Sequence, residues 1–469
     1  MSHATIFTSR RPRLLRLLLN LRREEIGPVL IASLFFFFVL TALMVLRPAR
    51  DALGMERGIE SIRWLFISTA LVTLAVNPLF GWLVSRLRRL QFIDVTYGFF
   101  VLSLLCFWAL LTFAPESVGE RSGQVFFVWF SVFNLFVTMV FWALLADRFT
   151  SDQGKRFFGL ISVGGTLGAI FGPWLTSQLA QSLGTSNLLL VAGGFLLLAL
   201  GMARLLVQVA PDREHADIAV ETAGFASEEK RIGGSAWAGL RAVLRSLYLS
   251  GIASYILLMT VVATIVYFTR VQMVAEVTDD TDVRTAMFGN IDMWTQVAVL
   301  VLQLTLTGKI IKRLGLGAAL AILPLATALG FIGMAIYGSF VVLILLEATS
   351  RAVQRGITRP AREALFTAVS REDKYKAKAF IDTFIYRTGD VVGAQAEGAF
   401  GKLGLAVGTL TSAVLPLALV WIVLAMWLGR MQALRVEQLA AHPATTTAGI
   451  TQIGPHGARR SGLHAIDKT

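Results

Sequence analysis

The chain reads as an all-α membrane protein, with about twelve transmembrane helices in two six-helix bundles. Three observations predict this. Of the 469 residues, 55% are hydrophobic and the mean hydropathy is +0.67, above the about 45–50% apolar of a soluble domain. The apolar residues gather into runs of roughly 20, the length a helix needs to cross the hydrocarbon core. One long polar segment, 209–246, divides those runs into two equal sets.

The elements follow in order. An N-terminal arm, 1–26, carries Arg10, Arg11, Arg13, Arg16, Arg22 and Arg23. Arginine and lysine are retained on the cytoplasmic side of a span, so the arm is expected in the cytoplasm. It lacks the layout of a cleaved signal peptide, so the first span is expected to stay. Spans are predicted at 27–47, 63–85, 91–113, 124–146, 157–181 and 186–208, forming the first bundle, 27–208. The second bundle, 247–432, holds 247–269, 287–307, 316–337, 339–357, 379–400 and 407–429. Charges interrupt 339–357 and 379–400. The polar tail, 433–469, is expected to be disordered and cytoplasmic.

Between the bundles, the linker 209–246 carries Asp212, Arg213, Glu214, Asp217, Glu221, Glu228, Glu229, Lys230 and Arg231. Its end sets Trp237, Leu240, Leu244 and Leu247 on one helical face and Arg241 and Arg245 on another. That pattern fits a helix lying in the membrane interface, or equally a solvated linker helix. The loops expected outside, 114–124 and 271–286, lean acidic through Glu116, Glu120, Glu276, Asp279, Asp280 and Asp282. The net charge of +13 is thus positive-inside bias rather than a nucleic-acid footprint. The expected setting is a bacterial inner membrane, with the lipid bilayer and a small anionic solute as partners and the chain a monomer.

Several chemistries are excluded. Cys106 is the sole cysteine, which rules out a disulfide framework and a cysteine metal site. His3, His442, His456 and His464 fall in the polar ends, and His215 falls in the linker. No nucleophile with base and orienter, no metal-ligand cluster and no phosphate-cradling glycine loop is present. No catalytic residue, metal or cofactor is expected, and the chain is not expected to be an enzyme.

A repeat relates the halves. After the second span comes G-W-L-V-S-R-L-R-R, 81–89, and after the eighth G-K-I-I-K-R-L-G, 308–315. Gly81 matches Gly308 and Arg86 matches Arg313; Arg89 and Lys312 complete two basic loops that would act as cytoplasmic gates. Two six-span halves related by a repeat are the layout of the major facilitator fold, with a central cavity between them. The segment 81–89 resembles that family's loop motif, with Ser85 at the acidic position. In the fifth span, Gly164, Gly165, Gly168, Gly172 and Pro173 give the four-residue glycine spacing that lets helices approach closely. The piece 168–173 is similar to the fifth-helix motif of facilitator antiporters. Asn77-Pro78, Pro324 and Pro416 mark bends.

Charge inside the spans points to the site. A charge at the bilayer centre costs about 2.5–3.5 kcal/mol on insertion scales, so it faces a cavity or a partner. Glu347, Arg351 and Arg355 share a face at i, i+4, i+8. The spacing lets Glu347 pair with Arg351 and leaves Arg355 freer. Asp382, Tyr386 and Asp390 share a face of the eleventh span, with Arg387 three residues from Asp390. Glu397 continues that face toward the outer end and is expected near the outer surface. Arg47, Arg50 and Asp51 end the first span and Arg270 the seventh; Asp292 and Gln296 lie on the eighth, Asn134 and Thr138 on the fourth. Two readings stand side by side: salt bridges that lock helices together, or a surplus of arginines forming an anion site. Arginine's planar fork suits phosphate and carboxylate. The candidate binding residues are therefore Arg47, Arg50, Asn134, Arg351, Arg355, Lys378 and Arg387. Asp51, Asp292, Glu347, Asp382 and Asp390 are candidates for coupling or gating.

The run R-E-A-L-F-T-A-V-S-R-E-D-K-Y-K-A-K-A-F-I-D, 362–382, resembles the corresponding region of the ATP/ADP translocases of plastids and intracellular bacteria. Lys374, Lys376, Lys378, Ile381 and Asp382 stand at its K-x-K-x-K and I-D elements. L-R-P-A-R-D-A-L, 46–53, is similar to that family's L-R-x-x-K-D-x-L, with Arg50 at the lysine position. F-W-A-L-L-A-D-R-F, 141–149, with Gly154, Lys155, Arg156 and Phe157, resembles its F-W-x-x-x-N-Q and A-K-R-F elements. The resemblance implies an exchanger of anions, with nucleotide the leading candidate and Arg47, Arg50 and Lys378 holding phosphates. Where the family carries glutamates in the fourth and seventh helices, this chain has Phe130 and Tyr267. The alternatives are a proton-coupled carrier or exporter of a non-nucleotide solute, with Asp382, Asp390 or Asp292 as proton site, and a membrane scaffold or receptor without transport.

Overall fold

The computed structural model describes residues 22–86, 89–210, 236–306, 310–402 and 407–441. Most of the basic arm, the acidic part of the linker, the chain after Ala441, all five histidines and Gly308 lie outside the described residues; 433–441, expected to be disordered, instead continue the last helix. The first half is α1 (Arg23–Met55), α2 (Ile59–Arg86), α3 (Arg89–Phe113), α4 (Glu116–Arg148), α5 (Ser151–Leu183) and α6 (Thr185–Val209). A short α7 (Ala236–Arg245) leads into α8 (Leu247–Ala275), α9 (Thr281–Leu306) and α10 (Ile310–Tyr337). The chain continues through α11 (Phe340–Val353), α12 (Arg359–Leu365), α13 (Arg371–Phe380) and α14 (Tyr386–Lys402) to α15 (Val407–Ala441).

The architecture is all-α, as the apolar runs predict. Among the described residues, ten helices are long and apolar enough to cross a membrane. The two spans that charges interrupt are built differently. α11 passes into α12 through a π-helical turn, Gln354–Thr358, and α13 passes into α14 through another, Ile381–Ile385. Such turns insert an extra residue into the helix and are frequent at functional sites.

Glycine sets the packing of the first half. α5 lies against α1 so closely that a Cβ on Gly164 or Gly168 would overlap the carbonyl oxygen of Ser33 or Phe37. One on Gly172 would lie 2.8 Å from that of Thr41. Both helices step by four residues, so small residues and backbone form a continuous seam. Pro173, the next residue, offers its carbonyl oxygen 2.9 Å from where a Cβ on Gly289 of α9 would sit. The second half repeats the device where sequence reading did not look. A Cβ on Gly389 of α14 would overlap the Thr260 side chain of α8, and one on Gly393 would lie 2.8 Å from the Val261 oxygen. Gly168→Leu is therefore expected to force α1 and α5 apart. Overpacking costs about 1–3 kcal/mol and sometimes more, read as a lower melting temperature in detergent. Gly159→Leu on the same helix, with open space around it, should change little.

Each half has its own apolar core. A third cluster joins them at one end, where Met55, Leu65 and Phe127 pack with Phe268, Phe288 and Ala394. α7 docks on α13, with Gly239 against the Lys376 carbonyl and Phe380. Leu244, Arg241 and Arg245 of α7 remain exposed.

Candidate functional site: a charge cluster between the halves and two chambers below it

α1 does not stop at 47. It continues to Met55, through Pro48, because its last turns are buried and apolar at Ala49, Ala52 and Leu53. Arg47, Arg50 and Asp51 therefore project from the last turns of a packed helix rather than from beyond its end. α8 likewise runs a turn beyond Arg270.

Arg270 is the centre of the site, and the expected binding set lacks it. Its side chain is 0% exposed. It pairs with Asp51 of α1, donates to Asp292 of α9 at 2.9 Å and lies 3.6 Å from Glu347 of α11. Asp292 also accepts from Arg351 at 3.2 Å and faces Arg47 at 3.6 Å. Arg351 pairs with Glu347, as its i+4 spacing predicts. Arg50 pairs with Asp51, which also accepts from the Tyr267 hydroxyl at 3.1 Å. Arg355 donates to Gln296 at 3.1 Å. Five arginines against three carboxylates leave a surplus of positive charge between the halves.

Aromatic side chains adjoin this cluster. The Arg50 guanidinium lies 4.5 Å from the Phe127 ring centre, 5.2 Å from that of Phe130 and 6.0 Å from that of Tyr267. Ring faces thus flank the Arg50 cation on the sides that Asp51 does not occupy.

Two chambers adjoin the cluster. The larger, about 400 Å³, is lined by Gln354, Arg355, Thr358, Arg359, Arg362, Asp382, Tyr386 and Met259. Both π turns contribute to it. Three arginines face it against one carboxylate, Asp382, which lies 3.8 Å from Arg362. The smaller, about 210 Å³, shares Met259 and Gln354 with it and reaches up to Arg47, Glu347, Arg351 and Tyr267. Arg355, Arg359 and Asp382 are exposed, so the larger chamber opens at the end where α12 and α13 connect the charged spans.

The opposite end is shut. Arg63 of α2 donates to Glu397 of α14 at 3.1 Å, and Gln272 of α8 donates to the same carboxylate. The Thr185 amide donates to Asp282 at 2.6 Å, and the Thr185 and Thr285 hydroxyls lie 2.9 Å apart. Thr281 donates to Glu56 at 3.3 Å; burial pushes the Glu56 carboxyl up, against the effect of that bond.

Several expectations need correcting. Glu397 is not a surface residue: it is 1% exposed and paired across the halves. The face of Asp382, Tyr386 and Asp390 is broken by the π turn at 381–385. Asp382 and Tyr386 line the larger chamber, while Asp390 pairs with Arg387 at 3.1 Å and lines neither. Lys378 pairs with Glu363 at 2.6 Å outside both chambers. Asn134 is exposed and lines neither. Gly81 and Arg86 end α2, Arg89 opens α3, and Lys312 and Arg313 sit in the first turn of α10. Arg359 joins Arg355 across the π turn Gln354–Thr358, so four-residue spacing alone does not report their shared chamber.

A buried charge cluster between two helical bundles, over an arginine-lined opening, defines a multi-pass membrane transporter. The chain belongs to the Major Facilitator Superfamily, whose family model matches residues 29–352. No curated protein matches it. Among solved structures it is similar to a mutant of the peptide transporter POT, at 14% identity and a TM-score of 0.58, over 85% of this chain and 95% of that one. It is also similar to the POT family transporter PepTSo, at 12% identity and a TM-score of 0.56, over 88% of this chain and 98% of that one. At these identities the likeness is one of fold.

Proposed function

We propose that the chain moves a small anionic or phosphorylated metabolite across a bacterial inner membrane by alternating access, exchanging one anion for another. The carrying observation is the chamber where Arg355, Arg359 and Arg362 face a single carboxylate. Guanidinium forks bind phosphate and carboxylate oxygens two at a time. Nucleotide is the candidate that the resemblance at 362–382 adds. The bundles 27–208 and 247–432 are the moving bodies, with both termini cytoplasmic. The contacts of Arg63, Glu397, Thr185 and Thr285 hold the outer end closed in this state.

Counterflow in proteoliposomes tests the reading: labelled ATP, ADP, inorganic phosphate and simple phosphate esters are offered to vesicles loaded with the same anions. Failure of all of them to exchange overturns it. The conformational part has its own measurement. With Cys106→Ser as background, Thr185→Cys and Thr285→Cys place two thiols where hydroxyls now touch. Oxidation should join them and stop exchange, and reductant should restore it.

A second reading, a proton-coupled carrier of a non-nucleotide solute, is favoured by one observation. Glu347 Oε2 is buried without a hydrogen-bond partner, an unfilled acceptor inside the cluster. Uptake that follows a pH gradient and is lost in Glu347→Gln, but is indifferent to Arg355→Gln, would favour it.

A further inference from the structure

The two chambers differ in chemistry, and the difference bears on what the solute must look like. The larger carries the three arginines. The smaller has a wall of Met259, Val262, Val266, Leu323 and Trp421, all of them buried. Of its two arginines, Arg351 already holds Glu347 and Asp292, and Arg47 faces Asp292. Glu347 itself lines this chamber, and its Oε2 accepts no hydrogen bond. A negative group pushed in here would meet a carboxylate oxygen. An apolar group would meet aliphatic and indole surface. The shared residues Met259 and Gln354 make the chambers neighbours, and their volumes of about 400 and 210 Å³ suit one small molecule.

Resting on the anion reading above, we propose that the solute is a single-ended amphiphile. One acidic head lies among Arg355, Arg359 and Arg362, and an uncharged apolar body lies against Val262, Val266, Leu323 and Trp421. Bare inorganic anions and molecules acidic at both ends are then poor ligands. The first leave the apolar wall wet, and the second bring charge to Glu347.

The test uses the purified full chain and a homologous series: inorganic phosphate, then methyl, butyl and hexyl phosphate, then hexane-1,6-diyl bisphosphate. Binding is read by thermal shift and by inhibition of counterflow. Each buried methylene should tighten binding about fourfold until the chamber fills, and the bisphosphate should bind more weakly than hexyl phosphate. Leu323→Gln should weaken hexyl phosphate at least tenfold more than methyl phosphate. Because this is a ratio within one variant, a general loss of stability does not mimic it. Phosphate binding that is flat along the series, or a bisphosphate that binds best, overturns this inference and leaves the anion reading standing. No binding by any member overturns this inference, and the anion reading with it when ATP and ADP also fail to exchange.

Discussion

Arg270→Gln is expected to lower stability by about 3–5 kcal/mol, the cost of removing one partner from a buried ion pair. The change leaves Asp51, Asp292 and Glu347 facing one another with their shared cation gone. Loss of monodisperse protein and a fall in melting temperature would show it. Arg270→Lys should rescue little, since a single ammonium cannot hold three carboxylates in the directions a guanidinium fork reaches. Adding Asp292→Asn to Arg270→Gln removes one orphaned charge and should recover part of the loss. Groups in one network are coupled, so the double variant should be more stable than the sum of the single effects. Strict additivity would mean that Arg270 does not act through Asp292.

Arg355→Gln combined with Arg359→Gln should reduce transport more than stability. A hydrogen bond to a charged group is worth about 1.5–3 kcal/mol, so each substitution should raise KM for the exchanged anion by roughly tenfold to a hundredfold. Both side chains are exposed in the open chamber, and only Arg355 has a hydrogen-bond partner described for it, Gln296. The melting temperature should therefore move little. Initial counterflow rates against anion concentration separate the two effects. An unchanged KM would remove the arginine chamber from the substrate path.

The architecture was legible because apolar run length has one dominant meaning in a membrane chain. The breaks at 339–357 and 379–400 were legible too, since charge density rises there and a charge inside a span calls for a cavity or a partner. The geometry at the breaks was not. Spacing by four assumes an uninterrupted α-helix, and the π turn at Ile381–Ile385 voids that assumption for Asp382 against Asp390. Arg270 escaped the binding set for a different reason: its three partners come from α1, α9 and α11, and no local spacing reports a contact between distant helices. The Gly164–Gly168–Gly172 pattern stood out by its run of three. Gly389 and Gly393 make only one step and lie among charged residues, so their seam against α8 carries a weaker sequence signal.

α1 has 33 residues and so spans about 50 Å at 1.5 Å per residue. Its middle, from Ser33 to Met44, is gripped by α5, and its last turns carry Arg47, Arg50 and Asp51 to the cluster. It works as a lever with a long arm. A hydrogen bond fails when stretched by about 1 Å; Arg50 lies about 20 Å along the helix from the contact at Phe37, so a tilt of roughly three degrees supplies that. Small leverage at one face of the membrane can thus unfasten contacts at the other, with no need for the helix to unwind.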